Sequence, residues 1–185
     1  MAKGMAEIIG LPLYSHIGEF QMQPEDPTVY EIFNISQAGD IITHIYHDNG
    51  APILDENGKL LPVVRDAARR GVLFDVGFGG FNFGWDLAEK AFAQDFRPHI
   101  ISSDLQQYNV LGPAFSLAHV MSLFLHLGMN IWEVIEGVTM TPAQTLALDD
   151  RAGSLKPGMP ADITVFRVND TEIEANDTYG TGRTI

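Results

Sequence analysis

Two histidines and one aspartate stand at the ends of short apolar runs, and their spacing points to shared chemistry. His16 lies in Leu11–Ile17, His44 in Ile41–Tyr46, and Asp104 directly follows Ile100–Ser103. They are separated by 28 (44 − 16) and 60 (104 − 44) positions, which correspond to whole strand-plus-helix units. Equal register along parallel strands therefore sets all three at one height on one rim. Neutral imidazoles and a carboxylate are good ligands for a divalent ion such as zinc. An ion bound with an open position polarises a carbonyl and makes water a usable nucleophile near neutral pH. The full strand-end runs are Ser15-His16-Ile17-Gly18-Glu19, Thr43-His44-Ile45-Tyr46-His47, Asp75-Val76-Gly77-Phe78-Gly79-Gly80 and Ser102-Ser103-Asp104.

Other polar residues point elsewhere. His47 reads as a solvated loop histidine, with substrate contact as the alternative. Ser116, His119, Ser122 and His126 form one wet seam on an otherwise apolar helix, and His99 lies at the opposite end from the rim. Gly77, Gly79, Gly80 and Gly84 do not match a dinucleotide fingerprint; the interleaved Phe78, Phe81 and Phe83 suggest a packed turn or an apolar pocket wall.

The elements that position these residues repeat. Runs starting at Leu11, Ile41, Val72 and Ile100 are spaced by 30, 31 and 28 residues. Helical patterning over Thr28–Gln37, Pro62–Arg70 and Trp85–Gln94 follows the first three. Strand and helix alternating at this period predict βαβ units and a parallel sheet. Four strands are half of a closed (β/α) barrel. Three helices follow, over Ala114–Leu127, over Ile131–Gly137, and one opened by Thr141 as N-cap with Pro142 at its first position. Beyond the turn Gly153–Gly158, Ala161–Val168 reads as one strand of a small accessory β-domain. The expected organisation is a partial barrel over 1–150, the start of a composite β-domain over 151–168, and a frayed tail over 169–185.

Composition narrows the function. The 185 residues carry 11 Lys+Arg against 24 Asp+Glu, a formal net charge of −13, so phosphate backbones and anionic membranes are poor partners. The absence of cysteine excludes disulfide scaffolds and thiolate metal sites. Residues 105–132 lack Asp, Glu, Lys and Arg, but Gly112-Pro113, Asn109, His119 and His126 interrupt them, so they read as a buried helix rather than a membrane span. With no apolar leader in Met1-Ala2-Lys3-Gly4, the expected setting is the cytoplasm.

Gly-Ser-Leu-Lys-Pro-Gly-Met-Pro-Ala-Asp-Ile-Thr-Val-Phe at 153–166 closely resembles the C-terminal signature of the amidohydrolase superfamily. Val138–Ala143 with Leu146-Ala147-Leu148 is similar to the preceding family helix. Together with Ile42-Thr43-His44, Asp75-Val76-Gly77 and Ser103-Asp104-Leu105, the likeness covers nearly the whole chain. It is strongest to the dihydroorotase-like amidohydrolase/deacetylase branch. The resemblance implies the C-terminal half of a (β/α)8 TIM-type barrel, with His16 and His44 as the metal-binding histidines of the family's fifth and sixth strands. Asp104 then matches the eighth-strand aspartate, which binds metal and moves a proton from the attacking water to the leaving nitrogen or oxygen. The implied activity is hydrolysis of a small-molecule amide, cyclic amide or ester, with zinc the first candidate ion.

The likeness begins just before the family's fifth strand, so the first-strand His-x-His pair and the fourth-strand lysine have no counterpart here. Phe78 and Gln106 stand where relatives often carry histidine. Both ends look cut. A half barrel exposes strand edges and interior surface, so self-association into a homo-oligomer is expected. The alternative is a non-catalytic, degenerate half barrel acting as an assembly module.

Overall fold

In a computed structural model, which describes residues 2–18, 26–50 and 52–185, the repeating unit of the sequence folds as a parallel sheet backed by helices. Helix α1 (Ala2–Ile9) precedes strand β1 (Tyr14–His16), then α2 (Val29–Ile35), β2 (Ile41–Thr43), α3 (Pro62–Arg70), β3 (Leu73–Asp75) and α4 (Trp85–Phe92). The strands pair in chain order, β1 with β2 and β2 with β3, all parallel. The fourth run joins as a looser continuation. Ile100 bridges Asp75 in parallel, Val76 N–H donates to the Ile100 carbonyl, and Phe78 N–H donates to that of Ser102. Four parallel runs in sequential order, linked by helices, form an arc of half a (β/α) barrel.

Local chemistry explains the boundaries. Thr28 caps α2 in a capping box with Glu31. Pro62 opens α3, and Gly71, with φ 88°, closes it in the left-handed conformation that glycine adopts without strain. After α4 come α5 (Leu117–His126), α6 (Ile131–Val138) and α7 (Met140–Thr145). Two predicted starts move. Ser116 caps α5 by accepting from His119 N–H, so Ala114 lies outside the helix; Thr139 rather than Thr141 precedes α7, which places Pro142 inside its first turn.

The core lies between the sheet and its helices. Ile42 and Phe74 from the strands meet Phe33, Val64, Ala67 and Ala88 from α2, α3 and α4. Each large aliphatic or aromatic side chain withdrawn from water there contributes about 1.5–3 kcal/mol. No helix among the described residues is long and apolar enough to cross a membrane.

The C-terminal segment departs from the sequence reading. Ala161–Val168 forms no strand: it is exposed throughout, and no partner strand lies beside it among the described residues. The expected frayed tail instead carries a hairpin, β4 (Glu174–Asn176) with β5 (Gly182–Thr184). Tertiary contacts hold it. Ala175 is fully buried, its carbonyl accepts from Trp85 Nε1–H at 3.1 Å, and Asp177 Oδ2 accepts from Trp85 N–H at 3.1 Å.

Candidate functional site

Register sets the site. His16 on β1 pairs with Thr43 on β2, and Thr43 with Asp75 on β3, so the polar residues that end three strands lie level. His44 follows directly and is 5% exposed, whereas His16 is open to solvent. Their rings pack edge to face with centroids 4.3 Å apart and planes at 70°. His16, His44 and Asp104 line one pocket of about 300 Å3, together with Asn82, Gln106 and Tyr108. The sequence thus leads to one shared rim, although among the described residues no three His, Asp or Glu side chains gather closely enough to hold a metal ion. Glu19, at the end of the first run, lies outside the described residues.

The His44 ring is held in one state. Its Nδ1 lies 2.6 Å from the Gly77 carbonyl; since a carbonyl only accepts, the proton sits on Nδ1 and the Nε2 lone pair remains for a ligand. Burial lowers the His44 pKa and the nearby His16 adds to this, against the opposing pull of the Gly77 carbonyl, Asp104 and Asp75. The ring therefore stays neutral below the ordinary histidine range, as a metal ligand must. A Cβ at Gly77 would overlap Thr43 Oγ1 and lie 2.5 Å from His44 Nδ1, so only glycine lets the carbonyl approach the ring.

Asp104 has a left-handed backbone, φ 42°, and is steadied by its neighbours. Gln106 Nε2–H donates to its Oδ1 at 3.0 Å, and Asn109 Nδ2–H donates to its carbonyl at 3.0 Å. Oδ2 borders Gly79, where a Cβ would stand 2.9 Å away. One carboxylate oxygen is thus tethered by Gln106, and among the described residues no such hydrogen bond holds the other.

The glycine-rich turn packs as the sequence suggests. Phe78 and Phe83 are fully buried and stack at 5.0 Å, so the Phe78 position gives the pocket no polar group. Phe81 remains exposed at the pocket and stacks on Tyr108 at 5.8 Å. His47 is a correction: it is 1% exposed rather than solvated, because its ring packs against Gly18, where a Cβ would lie 2.7 Å from His47 Cγ. Burial, with the neighbouring His44, drives its pKa down to about 4. On α5, His119 packs edge to face on Phe115 and His126 on Trp85, which gives both a packing role, and neither lines the pocket. His99 Nδ1 accepts from Phe74 N–H, also away from the rim.

Sequence reasoning missed the supports. Asn49 Nδ2–H reaches the carbonyls of Gly18 and Phe81, while Tyr179 in the hairpin turn donates to the Phe81 carbonyl at 2.8 Å and accepts from Asp48 N–H at 2.8 Å. It also missed Asp75, a carboxyl group inside an apolar run; such a residue must find buried partners, and that was the available signal. The donor chemistry fits a divalent ion: a neutral imidazole with Nε2 free of the Gly77 tether, a second imidazole beside it, and a carboxylate in the same pocket.

The sequence profile of the amidohydrolase family matches residues 42–181. A deacetylase of Agrobacterium fabrum is 33% identical over 181 residues, covering 97% of this chain and 43% of the relative. A deacetylase of Enterococcus faecalis is 32% identical over 175 residues, covering 94% and 46%. Among solved structures, an adenine deaminase superposes with a TM-score of 0.91 at 31% identity, covering 99% of this chain and 49% of its own. A dihydroorotase superposes with a TM-score of 0.84 at 32% identity, covering 98% and 48%. The chain spans about half the length of the curated relatives it matches.

Proposed function

The chain belongs to the amidohydrolase family, and from that premise we propose that it is the C-terminal portion of a metal-dependent hydrolase acting on amide, cyclic amide or ester bonds of a small molecule. The observation that carries this reading is the pocket that His16, His44 and Asp104 share, with His44 tethered through Nδ1. His16, His44 and Asp104 are the proposed holders of a divalent ion, zinc first. Such an ion, when bound, supplies Lewis acidity toward a substrate carbonyl.

The protein's own groups do the rest. Asp104 accepts a proton from the attacking water and returns it to the leaving nitrogen or oxygen, a task suited to a carboxylate with one oxygen tied to Gln106. Gln106 keeps that carboxylate turned in one direction. Phe81 and Tyr108 offer a flat apolar wall to the substrate, and Asn82 adds an amide. The pocket is at the small end of ligand sites, which suits a small molecule. The proposed boundaries are a partial barrel over 1–150 and the start of a composite β-domain over 151–168. The proposed setting is the cytoplasm, since an acidic chain without cysteine needs no oxidising compartment.

Zinc titration by calorimetry tests the reading: the parent binds about one ion per chain, and His44→Asn, which tolerates the left-handed backbone at φ 68°, binds it about 100-fold more weakly. An assembly module is the second reading, favoured by the lack of a closed three-ligand cluster among the described residues; a parent that binds no zinc supports it. In either case exposed Ile163, Val165, Phe166 and Val168 motivate self-association. Light scattering after size exclusion is expected to give more than a monomer mass, and a stable monomer contradicts this.

A further inference from the structure

Asp75 is fully buried at the end of β3. Its Oδ2 accepts three hydroxyl hydrogen bonds, from Tyr14 at 2.6 Å, Thr43 at 2.6 Å and Ser102 at 2.8 Å. Its Oδ1 is buried and finds no partner among the described residues. A polar group held this way costs stability, which points to a compensating role. Two of the three hydroxyls lead to His44. Thr43 directly precedes it. Ser102 Oγ accepts from Gly77 N–H at 3.1 Å, and Gly77 supplies the carbonyl that receives the His44 Nδ1 proton. His44 itself has φ 68°, a conformation that a non-glycine residue keeps only when its surroundings enforce it.

We propose that Asp75 is a positioning residue for His44: through Thr43 on one side and Ser102 with Gly77 on the other, it clamps the chain around the imidazole and holds the ring as the Nδ1–H tautomer. The clamp concerns the ring alone. Its consequence for cation binding rests on the reading of His44 as a metal ligand.

Selective 15N-histidine labelling with solid-state NMR reports both ring nitrogens of all six histidines, with His44 assigned by its absence in His44→Asn. The parent is expected to show Nδ1 protonated and Nε2 bare. Ser102→Ala and Asp75→Leu shift His44 toward the Nε2–H tautomer. Asp75→Asn, whose amide oxygen still accepts the hydroxyls, keeps the parent pattern, and so does Tyr14→Phe, which removes a donor from the same oxygen without breaking a link to His44. A general loss of packing would not separate these variants. Zinc affinity falls about 10-fold or more in Ser102→Ala. Should Asp75→Leu fail to fold, Ser102→Ala decides. An unchanged ring in Ser102→Ala overturns the proposal, as does Tyr14→Phe or Asp75→Asn shifting the ring as far as Ser102→Ala does. A shifted ring in a protein whose parent binds no zinc upholds the clamp and removes only the metal reading.

Discussion

Two buried aspartates lie at opposite ends of the sheet, and they are satisfied in different ways. Asp40, just before β2, is 3% exposed and uses both oxygens: Oδ2 meets Lys3 Nζ at 2.6 Å and Gln37 N–H at 2.8 Å, and Oδ1 accepts from Leu13 N–H at 2.9 Å. Asp75, at the rim, has three hydroxyls on one oxygen and, among the described residues, no partner on the other. The first is matched by a cation and two amides and ties α1 to the strand entries. The second is matched, among the described residues, by rotatable hydroxyls, two of which lead to His44. In (β/α) barrels the N-terminal face serves stability and the C-terminal face chemistry. The two carboxyl groups follow that division.

Removing each end's key residue should separate the two roles. Asp40→Ala leaves Lys3 and two amides without their acceptor and is expected to cost about 3 kcal/mol in urea unfolding, with zinc affinity unchanged. His44→Asn should do the reverse: unfolding barely moves, while zinc affinity by calorimetry falls about 100-fold, or ~2.7 kcal/mol.

Acid should also separate them, at different pH. Burial depresses His44 and His47, the latter to about 4 from 6.5. A depressed pKa means that the unfolded chain takes up protons first; the stability these neutral rings contribute is complete above about 6.5 and is lost as pH falls below it, for His47 down to about 4. For Asp40, burial alone would raise the pKa, but Lys3 and the amides of Gln37 and Leu13 outweigh it and hold the carboxyl below its ordinary 3.8. Its contribution is intact above 3.8 and is lost only as pH falls through that lower value. Thermal melts against pH should show two acid limbs, the upper flattened by His47→Asn and the lower by Lys3→Met. The smallest effect is expected from Tyr14→Phe, about 1 kcal/mol in unfolding.

What the sequence makes legible divides along the same line. Repeat spacing locates the strands, and Pro62 through Arg70 is found residue for residue, because a proline start, an apolar face and a closing glycine are local signals. The shared rim of His16, His44 and Asp104 is also legible, since register in a parallel sheet converts sequence separation into height. The hairpin at 174–184 is not. Its residues are polar and glycine-containing, and it is held by Ala175 and Asp177 docking on Trp85, about 90 residues away, which no local pattern announces. The same holds for His47, whose burial depends on Gly18, and for Gln106, whose value lies in its bond to Asp104.

Zinc-edge X-ray absorption on the zinc-loaded chain tests most directly whether these side chains meet at one ion. Two imidazole nitrogens at about 2.0–2.1 Å and carboxylate oxygen at about 2.0–2.2 Å are predicted, with one imidazole lost in His44→Asn. A spectrum showing oxygen neighbours only, identical in parent and variant, would contradict it.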